Sequence, residues 1–287
     1  MASDAHAHPQ DILHLFPGAE DQRRSIGAAC AASAWNREEF FCHEKMAAAA
    51  QHDGAPLLHL CFAVHPQLPA SLSKEKIIPF SGFRDKLEFL ESLADQGRIS
   101  AIGETGFDLY SPHYKETETI QDDLFAVHLY IACRYTLPVV LHVRRAMHKI
   151  FPHTGTLKKL PAVVFHSWSG APQEAFSLLR RGVRAFFSFG TTLLLNHKNA
   201  ILSCAELPAN HILLETDAPY QPLRGKEYSS WADLPLILAE AAKIRKGKAA
   251  REGTDTAVLE EITGRNFKEC FYCREIRTFH SKPTGAG

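Results

Sequence analysis

The chain has 287 residues, 45% of them hydrophobic, and its 32 basic residues balance 32 acidic ones to give a formal net charge of zero. Such a chain is long and apolar enough for one large α/β domain or two small ones, and its zero charge disfavours broad electrostatic binding of a polyanion. Because no apolar run approaches the roughly 18 residues of a membrane span and the start MASDAHAHPQ lacks a basic-then-apolar signal pattern, we expect a cytoplasmic protein without membrane contacts.

Short apolar runs predict eight β-strands in chain order, because each run is rich in Val, Ile, Leu, Phe or Ala and ends where the chain usually turns. The predicted strands cover residues 3–8, 25–33, 57–65, 99–104, 137–142, 162–166, 183–189 and 211–217. Amphipathic helical patterns lie between many of them, and the clearest cover residues 84–96, 121–135 and 172–181. Two more helices are predicted after the last strand, around residues 233–244 and 255–270.

The alternation of strands and helices predicts an α/β fold, a single-domain TIM-type (β/α)₈ barrel over residues 1–273, with its site at the carboxyl ends of the strands. The runs are apolar enough to be covered on both faces, as in parallel sheets. An open doubly wound sheet is the alternative, but it usually carries a glycine-rich phosphate loop after its first strand, where this chain has His6-Ala7-His8-Pro9. Residues 274–287 contain Pro and Gly without an apolar period, which predicts a flexible tail.

Side chains that can bind metals stand at or just past the ends of the predicted strands. In the segment Asp4-Ala5-His6-Ala7-His8 a strand directs both imidazoles to one face, where they can bind one metal ion. Asp4 can orient one of these histidines or remain at the surface. For each candidate after the opening segment, taken alone, a structural role is more common than metal binding. Their recurrence at the ends of strands favours a common metal site. The six candidate metal ligands are His6, His8, Glu104, His142, His166 and Asp217.

These six residues predict a centre for two divalent cations per chain. We expect His6, His8 and Asp217 to bind one ion, the histidines that end the fifth and sixth predicted strands to bind the other, and Glu104 to lie between them. Mixed nitrogen and oxygen ligands suit zinc, manganese or iron better than calcium, and magnesium tolerates fewer imidazoles; the metal's identity stays open among Zn, Mn and Mg. Such a centre can activate water for hydrolysis, with Asp217 and Glu104 as the catalytic carboxylates.

Four further residues are candidates for substrate binding, each with a structural alternative. Arg144 can bind a phosphate oxygen or pair with a neighbouring carboxylate. His65 can hydrogen-bond a substrate phosphate, support the metal ligands from behind, or shape the turn before Pro66. Trp168 and Tyr220 can stack on a nucleobase or pack under loops.

The order of the motifs around these residues resembles that of the TatD family of metal-dependent hydrolases. The motifs are Asp-x-His-x-His, Val-His-Pro, Gly-Glu-Thr-Gly-Phe-Asp, Leu-His-x-Arg, Phe-His-Ser-Trp-Ser-Gly and Glu-Thr-Asp-Ala-Pro-Tyr, and the similarity runs from Ser3 to about Phe271. The resemblance implies a TIM-type barrel, a divalent-metal centre with the same six ligands, and deoxyribonuclease or phosphodiesterase activity, often exonucleolytic removal from DNA 3′ ends. Trp168 stands where the family commonly has Phe, a change that bears on which base or leaving group fits.

Two classes of hydrolase and one non-enzymatic function fit this pattern. The first is an exonuclease-like phosphodiesterase or deoxyribonuclease that acts on DNA through metal-activated water, and we expect it to be a monomer. The alternative is a metal-dependent esterase or amidohydrolase that acts on an aminoacyl ester or a lactone, which zero net charge mildly favours. A metal-dependent binding protein is disfavoured, since structural zinc sites are usually four-coordinate and closed.

Overall fold

The structure is a computed structural model that describes residues 1–72, 76–248, 250 and 252–272. Eight strands form one sheet in which neighbouring strands are parallel and the spatial order follows the chain. Their bounds are β1 Ser3–Ala7, β2 Ala29–Ala34, β3 Leu58–Phe62, β4 Ala101–Asp108, β5 Val139–Arg144, β6 Val163–Phe165, β7 Ala185–Phe189 and β8 Ile212–Leu214. This consecutive parallel order is that of a TIM barrel, as the alternating pattern predicts.

Helices connect the strands and cover the outside of the sheet, where their apolar faces form the larger hydrophobic core with the strands. The α-helices are α1 Pro9–Leu15, α2 Ala19–Ser25, α3 Arg37–His52, α4 Leu68–Ser71, α5 Arg84–Asp95, α6 Pro112–Lys115, α7 Glu118–Tyr135, α8 Met147–Ile150, α9 Thr154–Leu157, α10 Pro172–Arg180, α11 Lys198–Glu206, α12 Leu234–Gly247 and α13 Thr256–Phe271. Short 3₁₀ turns lie at Phe80–Phe83, Phe151–His153, Ala209–His211 and Trp231–Asp233.

Hydrogen bonds join the segment after β8 to β1 and thereby complete the ring of strands. The Asp217 N–H donates to the carbonyl oxygen of His6 at 3.0 Å. The buried Asp4 carboxylate accepts from the Thr216 N–H at 3.0 Å and from the Thr216 hydroxyl at 2.6 Å. Asp4 is therefore a buried residue that ties the first strand to the last, and it also accepts from the His6 N–H at 3.2 Å.

Helix α13 packs at the amino-terminal end of the barrel. The Asn266 side-chain amide donates to the carbonyl oxygens of Ala209 and Ile212, at the beginning of β8, at 2.9 and 2.8 Å. Phe267 and Phe271 from the same helix pack in one buried cluster with mostly small residues of the strands. The amino-terminal end is therefore filled, and the carboxyl ends of the strands are left for a functional site.

Several observed strands are shorter than predicted. The strand predicted at 25–33 begins at Ala29, because the chain leaves helix α2 through a turn in which Gly27 adopts a φ of +68°. The strands predicted at 57–65 and 211–217 end at Phe62 and Leu214, because the chain leaves the sheet before the polar residues of the rim. Residues 274–287 lie outside the described part of the chain. Within the described part, no helix is long and apolar enough to cross a bilayer.

Candidate metal centre

The six predicted metal ligands converge at the carboxyl ends of the strands. His6, Glu104 and His142 belong to β1, β4 and β5, whereas His8, His166 and Asp217 lie in the loops that follow β1, β6 and β8. All six side chains are buried. Their ligand atoms form overlapping groups that could each hold a cation: His6 with Glu104 and His166, and His6 with His8 and Asp217.

Glu104 is the centre of this arrangement, and its two oxygens face different histidines. Oε1 lies 2.6 Å from Nδ1 of His142 and 2.6 Å from Nε2 of His166. Oε2 lies 3.2 Å from Nε2 of His6 and 3.9 Å from Nε2 of His8. Oε1 of Glu104 therefore faces His142 and His166, and Oε2 faces His6 and His8. The assignment of these residues to two ions stays a prediction.

Asp217 completes the group that contains the first two histidines. Its Oδ1 lies 3.7 Å from Nε2 of both His6 and His8. Its backbone takes a left-handed conformation with φ of +53°, which is uncommon for a residue with a side chain. The Gln221 amide donates to Oδ2 of Asp217 at 2.6 Å and to the Ser167 hydroxyl at 2.7 Å. Gln221 thus fixes the orientation of the carboxylate, a role for which the sequence carried no signal.

His65 contacts the Glu104 carboxylate directly and is therefore part of the cluster as well as of the cleft wall. Its Nε2 lies 3.1 Å from Oε1 of Glu104, and it forms a third possible cation group with Glu104 and His142. Burial lowers the pKa of His65 despite the opposing charge of Glu104. The side chain is therefore suited to act as a neutral donor or acceptor beside the centre.

Two of the four candidate ligand histidines hydrogen-bond a polar partner through the ring nitrogen that faces away from the centre. His6 Nδ1 lies 3.2 Å from the Ser33 hydroxyl and His142 Nε2 lies 3.0 Å from Asp108. Such partners hold an imidazole in one tautomer and one orientation, as they do around metals in general. Glu39 and Glu215 lie 3.7 Å from Nδ1 of His8 and of His166, too far for a hydrogen bond, but their charges face these rings. Asp108 and Glu215 stand in two of the motifs that resemble the TatD family, but the sequence pattern indicated no role for either residue.

The electrostatics of the cluster are those of carboxylates surrounded by imidazoles. Burial alone would raise the pKa of Glu104, but the charges of His166, His65 and His6 outweigh it and hold the pKa well below its usual range. Burial alone would lower the pKa of His166, but the charge of Glu104 and its hydrogen bonds raise that pKa well above its usual range. The site therefore favours a negative carboxylate next to positive charge.

The same balance holds at the edges of the cluster. Burial opposes protonation of His8, but the nearby carboxylates of Glu39 and Asp217 raise its pKa to about 9. Burial likewise opposes protonation of His142, and hydrogen bonds with Asp108 and Glu104 raise its pKa. In a protein without bound metal, protons occupy the positions from which a divalent cation would displace them.

The donor set fits divalent cations. Nε2 of His6 is buried and makes no hydrogen bond to a described residue, although Oε2 of Glu104 lies near it. A buried imidazole nitrogen without a hydrogen bond is costly unless another partner is present. Imidazole nitrogens combined with carboxylate oxygens are ligands that zinc and manganese accept. The residues that would hold the cations are thus in place.

A cleft of about 640 Å³ leads to this centre. Its walls include Arg144 and Tyr220, whose side chains are 47% and 49% exposed. Arg144 is only weakly engaged, because its guanidinium lies 3.7 Å from Asp108 and 4.3 Å from the ring centre of Tyr110. The Tyr220 hydroxyl donates to Asp11 at 2.8 Å. Both predicted substrate-binding residues therefore line the cleft.

Trp168 does not line this cleft, and the structure shows the second of the two possibilities that the sequence left open, packing beneath the loops. The indole is 4% exposed and packs against Phe165 and Phe187, with ring centres 5.6 and 4.8 Å away. A residue after a buried strand can turn into the space beneath its own loop, where a large ring gains more from apolar burial. Trp35, which sequence reasoning did not consider, lines the cleft instead.

Comparison with known proteins gives one matching family. A family model described as TatD related DNase matches residues 3–272. The chain is 32% identical to the 3′-5′ ssDNA/RNA exonuclease TatD of Cronobacter sakazakii over 195 residues, which are 63% of this chain and 68% of that protein. It is 36% identical to an uncharacterized metal-dependent hydrolase of Mycoplasma pneumoniae over 143 residues, 47% of this chain and about half (53%) of that protein.

Solved structures with the same architecture cover almost the whole chain. YJJV, a TatD homolog from Escherichia coli K12, has a TM-score of 0.74 at 24% identity and covers 95% of this chain and 98% of its own. An uncharacterized amidohydrolase from Saccharomyces cerevisiae has a TM-score of 0.73 at 17% identity and covers 94% of this chain and 99% of its own. At these identities the structural similarity supports the barrel fold and nothing finer.

Proposed function

Since this chain belongs to the family of TatD related DNases, as its motifs indicate, we propose that it is a phosphodiesterase that removes nucleotides from the 3′ ends of single-stranded nucleic acid. The chain is a metal-dependent hydrolase by membership of that family. The exonuclease that it resembles is named for action on single-stranded DNA and RNA. The observation that supports the proposal most is the Glu104 carboxylate, whose oxygens face two groups of imidazoles at the floor of an open cleft.

We propose that the centre binds two divalent cations. His6, His8 and Asp217 would hold one. His142 and His166, whose ring nitrogens lie 2.6 Å from Oε1 of Glu104, would hold the other. When bound, such cations supply positive charge that polarises a phosphate oxygen and makes water more acidic. Nitrogen-rich ligands favour zinc or manganese over magnesium.

The chain's own residues perform the remaining steps. Asp217, oriented by Gln221, accepts a proton from the attacking water as the new bond from oxygen to phosphorus forms. The bond from phosphorus to the leaving oxygen of the strand then breaks, and that oxygen keeps the electron pair and takes a proton from water to become a hydroxyl. Arg144, exposed at the cleft wall and only weakly paired, donates to a phosphate oxygen on which negative charge develops. The cleft therefore needs no protein nucleophile.

With 32 basic and 32 acidic residues, the protein has no overall field that would hold long duplexes without regard to position. Attraction for phosphate must then come from local charge, and Arg144 at the cleft wall can supply it.

The proposal is tested by incubating metal-loaded protein with a single-stranded oligonucleotide labelled at its 5′ end. We expect stepwise shortening from the 3′ end, and we expect Asp217→Asn to reduce kcat by about 10²–10⁴-fold because it removes a proton acceptor. Asp123→Asn, an exposed change on α7, is the matched control. Equal, metal-independent shortening by the native protein and Asp217→Asn contradicts the proposal, as does turnover of small esters without any oligonucleotide cleavage.

A further inference from the structure

A second cavity of about 430 Å³ adjoins the metal centre. It shares four lining residues with the main cleft and therefore lies directly beside it. The shared residues are Val143, His166, Ser167 and Ser169. Its own walls include Arg145, His148, Trp168, Gly170, Glu174 and Asn199, from the segments after β5 and β6 and from α10 and α11. This volume is in the range of small-ligand sites, which begins at about 300 Å³.

The second cavity and the Trp35 side of the main cleft lie across the barrel from each other. The strands follow one another in consecutive order around the barrel, so β6 stands opposite β2. The second cavity opens beside the end of β6, and Trp35 directly follows β2. The metal centre lies between the two spaces. A phosphodiester bound at the centre could therefore extend one arm into each.

Two arginines lie where the second cavity adjoins the main cleft, and one carboxylate, Glu174, also lines the second cavity. The guanidinium groups of Arg144 and Arg145 lie 4.3 and 4.5 Å from the ring centre of Tyr110. In the part of the chain that the structure describes, Arg145 makes no ion pair, and the closest carboxylate to Arg144 is Asp108 at 3.7 Å. Two adjacent cations with so little compensation form a local site for an anion on a molecule with no net charge.

The backbone directs the two arginines to different spaces. Arg144 lines the main cleft and Arg145 lines the second cavity. Arg145 has a φ of +53°, and Ser167, on the other side of the opening, has a φ of +48°. Left-handed conformations of residues with side chains are unfavourable and are found mainly where function requires them.

We propose that the second cavity holds the nucleotide on the strand side of the scissile phosphate and that Arg145 binds the next phosphate along the strand. This inference rests on the proposed function. The 3′-terminal nucleoside carries no phosphate other than the scissile one, so every further phosphate belongs to the opposite arm. The part of the strand that carries the further phosphates is therefore placed on the side of Arg145. The terminal base, which carries no further phosphate, is placed on the side of Trp35 and Leu68. Arg145 is thus a positioning residue for strands of three or more nucleotides.

The test compares two thymidine substrates that differ by one phosphate. The dinucleoside monophosphate has only the scissile linkage, whereas the trinucleoside diphosphate also has the phosphate assigned to Arg145. We expect Arg145→Ala to lower kcat/KM for the first cleavage of the longer substrate about tenfold more than for the shorter one, mainly through KM, as for a lost charge-assisted hydrogen bond. Arg145→Lys should restore part of the difference, and Arg180→Ala, an exposed arginine on α10, should show none.

A neutral methylphosphonate at the second linkage provides an independent measurement. In the native protein the methylphosphonate should lower kcat/KM for the longer substrate by about as much as Arg145→Ala does. The variant and the methylphosphonate together should lower kcat/KM little more than either change alone. Equal losses on both substrates in Arg145→Ala, or additive effects of the two changes, overturn the inference while the proposed function stands. Cleavage of neither substrate by the native protein overturns both.

Discussion

At the scale of single residues, the partners behind the ligands decide how well the centre binds a cation. Asp108 is the clearest case, because it is buried and its carboxylate accepts from the Gln67 amide at 2.7 Å and from the Tyr110 N–H at 2.9 Å. Burial would raise the pKa of Asp108, but the hydrogen bond with His142 and the positive charge of that ring lower it to about 2. The side chain therefore stays ionised and holds the His142 ring with Nδ1 toward Glu104.

We expect Asp108→Asn to weaken the affinity for one of the two cations by about 10–100-fold, because a neutral amide holds the His142 ring less firmly and makes it a poorer ligand. Affinity is measured by competition with a coloured chelator, which reads binding apart from turnover. Asp122→Asn, which removes a carboxylate that pairs with Lys149 away from the centre, is the control. Unchanged cation affinity in Asp108→Asn shows that this carboxylate does not support the centre.

The site residues that could be predicted from the sequence are those that stand at the ends of strands. The candidate ligands stood at the ends of apolar runs, and parallel strands bring such ends together at one rim. Gln221 and Trp35 are in loops whose paths the pattern did not give. For Trp168 the motif was known but the rotamer was not, so stacking on a base and packing beneath a loop both stayed open. Side-chain direction in a loop depends on contacts with other loops, which no local pattern records.

At the scale of elements, β4 and β5 must approach each other closely for the centre to form. Gly106 in β4 has a φ of +129°, and a methyl group at its position would overlap the carbonyl oxygen of His142 in β5. Gly103 in the same strand lies against Val140, where an added methyl group would stand 2.5 Å from the Val140 Cβ. The two glycines therefore let the strand that carries Glu104 lie against the strand that carries His142.

Gly106→Ala should destabilise the protein by about 2 kcal/mol or more, because the methyl group forces both an unfavourable φ and a shift of β5. Urea unfolding followed by circular dichroism measures the change. Gly155→Ala is a matched control on α9, where an added methyl group meets no atom within 4 Å, and it should be neutral or slightly stabilising. Equal unfolding midpoints for the two variants would mean that the strands can separate without cost.

At the scale of the whole molecule, buried neutral histidines make stability depend on pH. His128 of α7 is buried between elements: its Nε2 accepts from the Val64 N–H at 3.1 Å, and Nδ1 lies 2.9 Å from the Thr105 hydroxyl. Burial lowers its pKa to about 3, although a hydrogen bond to the Leu124 backbone opposes the shift. The native state thus keeps His128 neutral at pH values where an unfolded chain binds a proton.

The sign of the effect follows from this depressed pKa. The contribution of His128 is fully present above the unfolded pKa of about 6.5 and is lost as the pH falls toward about 3. Between pH 7 and pH 5 this group should remove about 2 kcal/mol of unfolding free energy, at about 1.4 kcal/mol per pH unit below 6.5. His128→Gln should be less stable at pH 7 but should lose less on acidification.

The measurement is urea unfolding of both proteins at pH 7 and pH 5 with a chelator present, so that loss of metal does not contribute. Other buried histidines contribute equally to both proteins, which makes the difference between the two pH dependences specific to His128. Identical losses in the native protein and His128→Gln would show that the ring is protonated in the folded state or that it is solvated.

The sequence by itself determined the fold class, the family and the identity of the candidate ligands. Apolar periodicity and the order of strands and helices leave few topologies, and a parallel barrel collects strand ends at one rim. Only the tertiary structure decided which aromatic ring faces the cleft, which carboxylates hold the ligand histidines, and that a second cavity with Arg145 adjoins the centre. These features depend on distances of a few ångströms between loops that are remote in sequence, and packing of the whole barrel sets those distances.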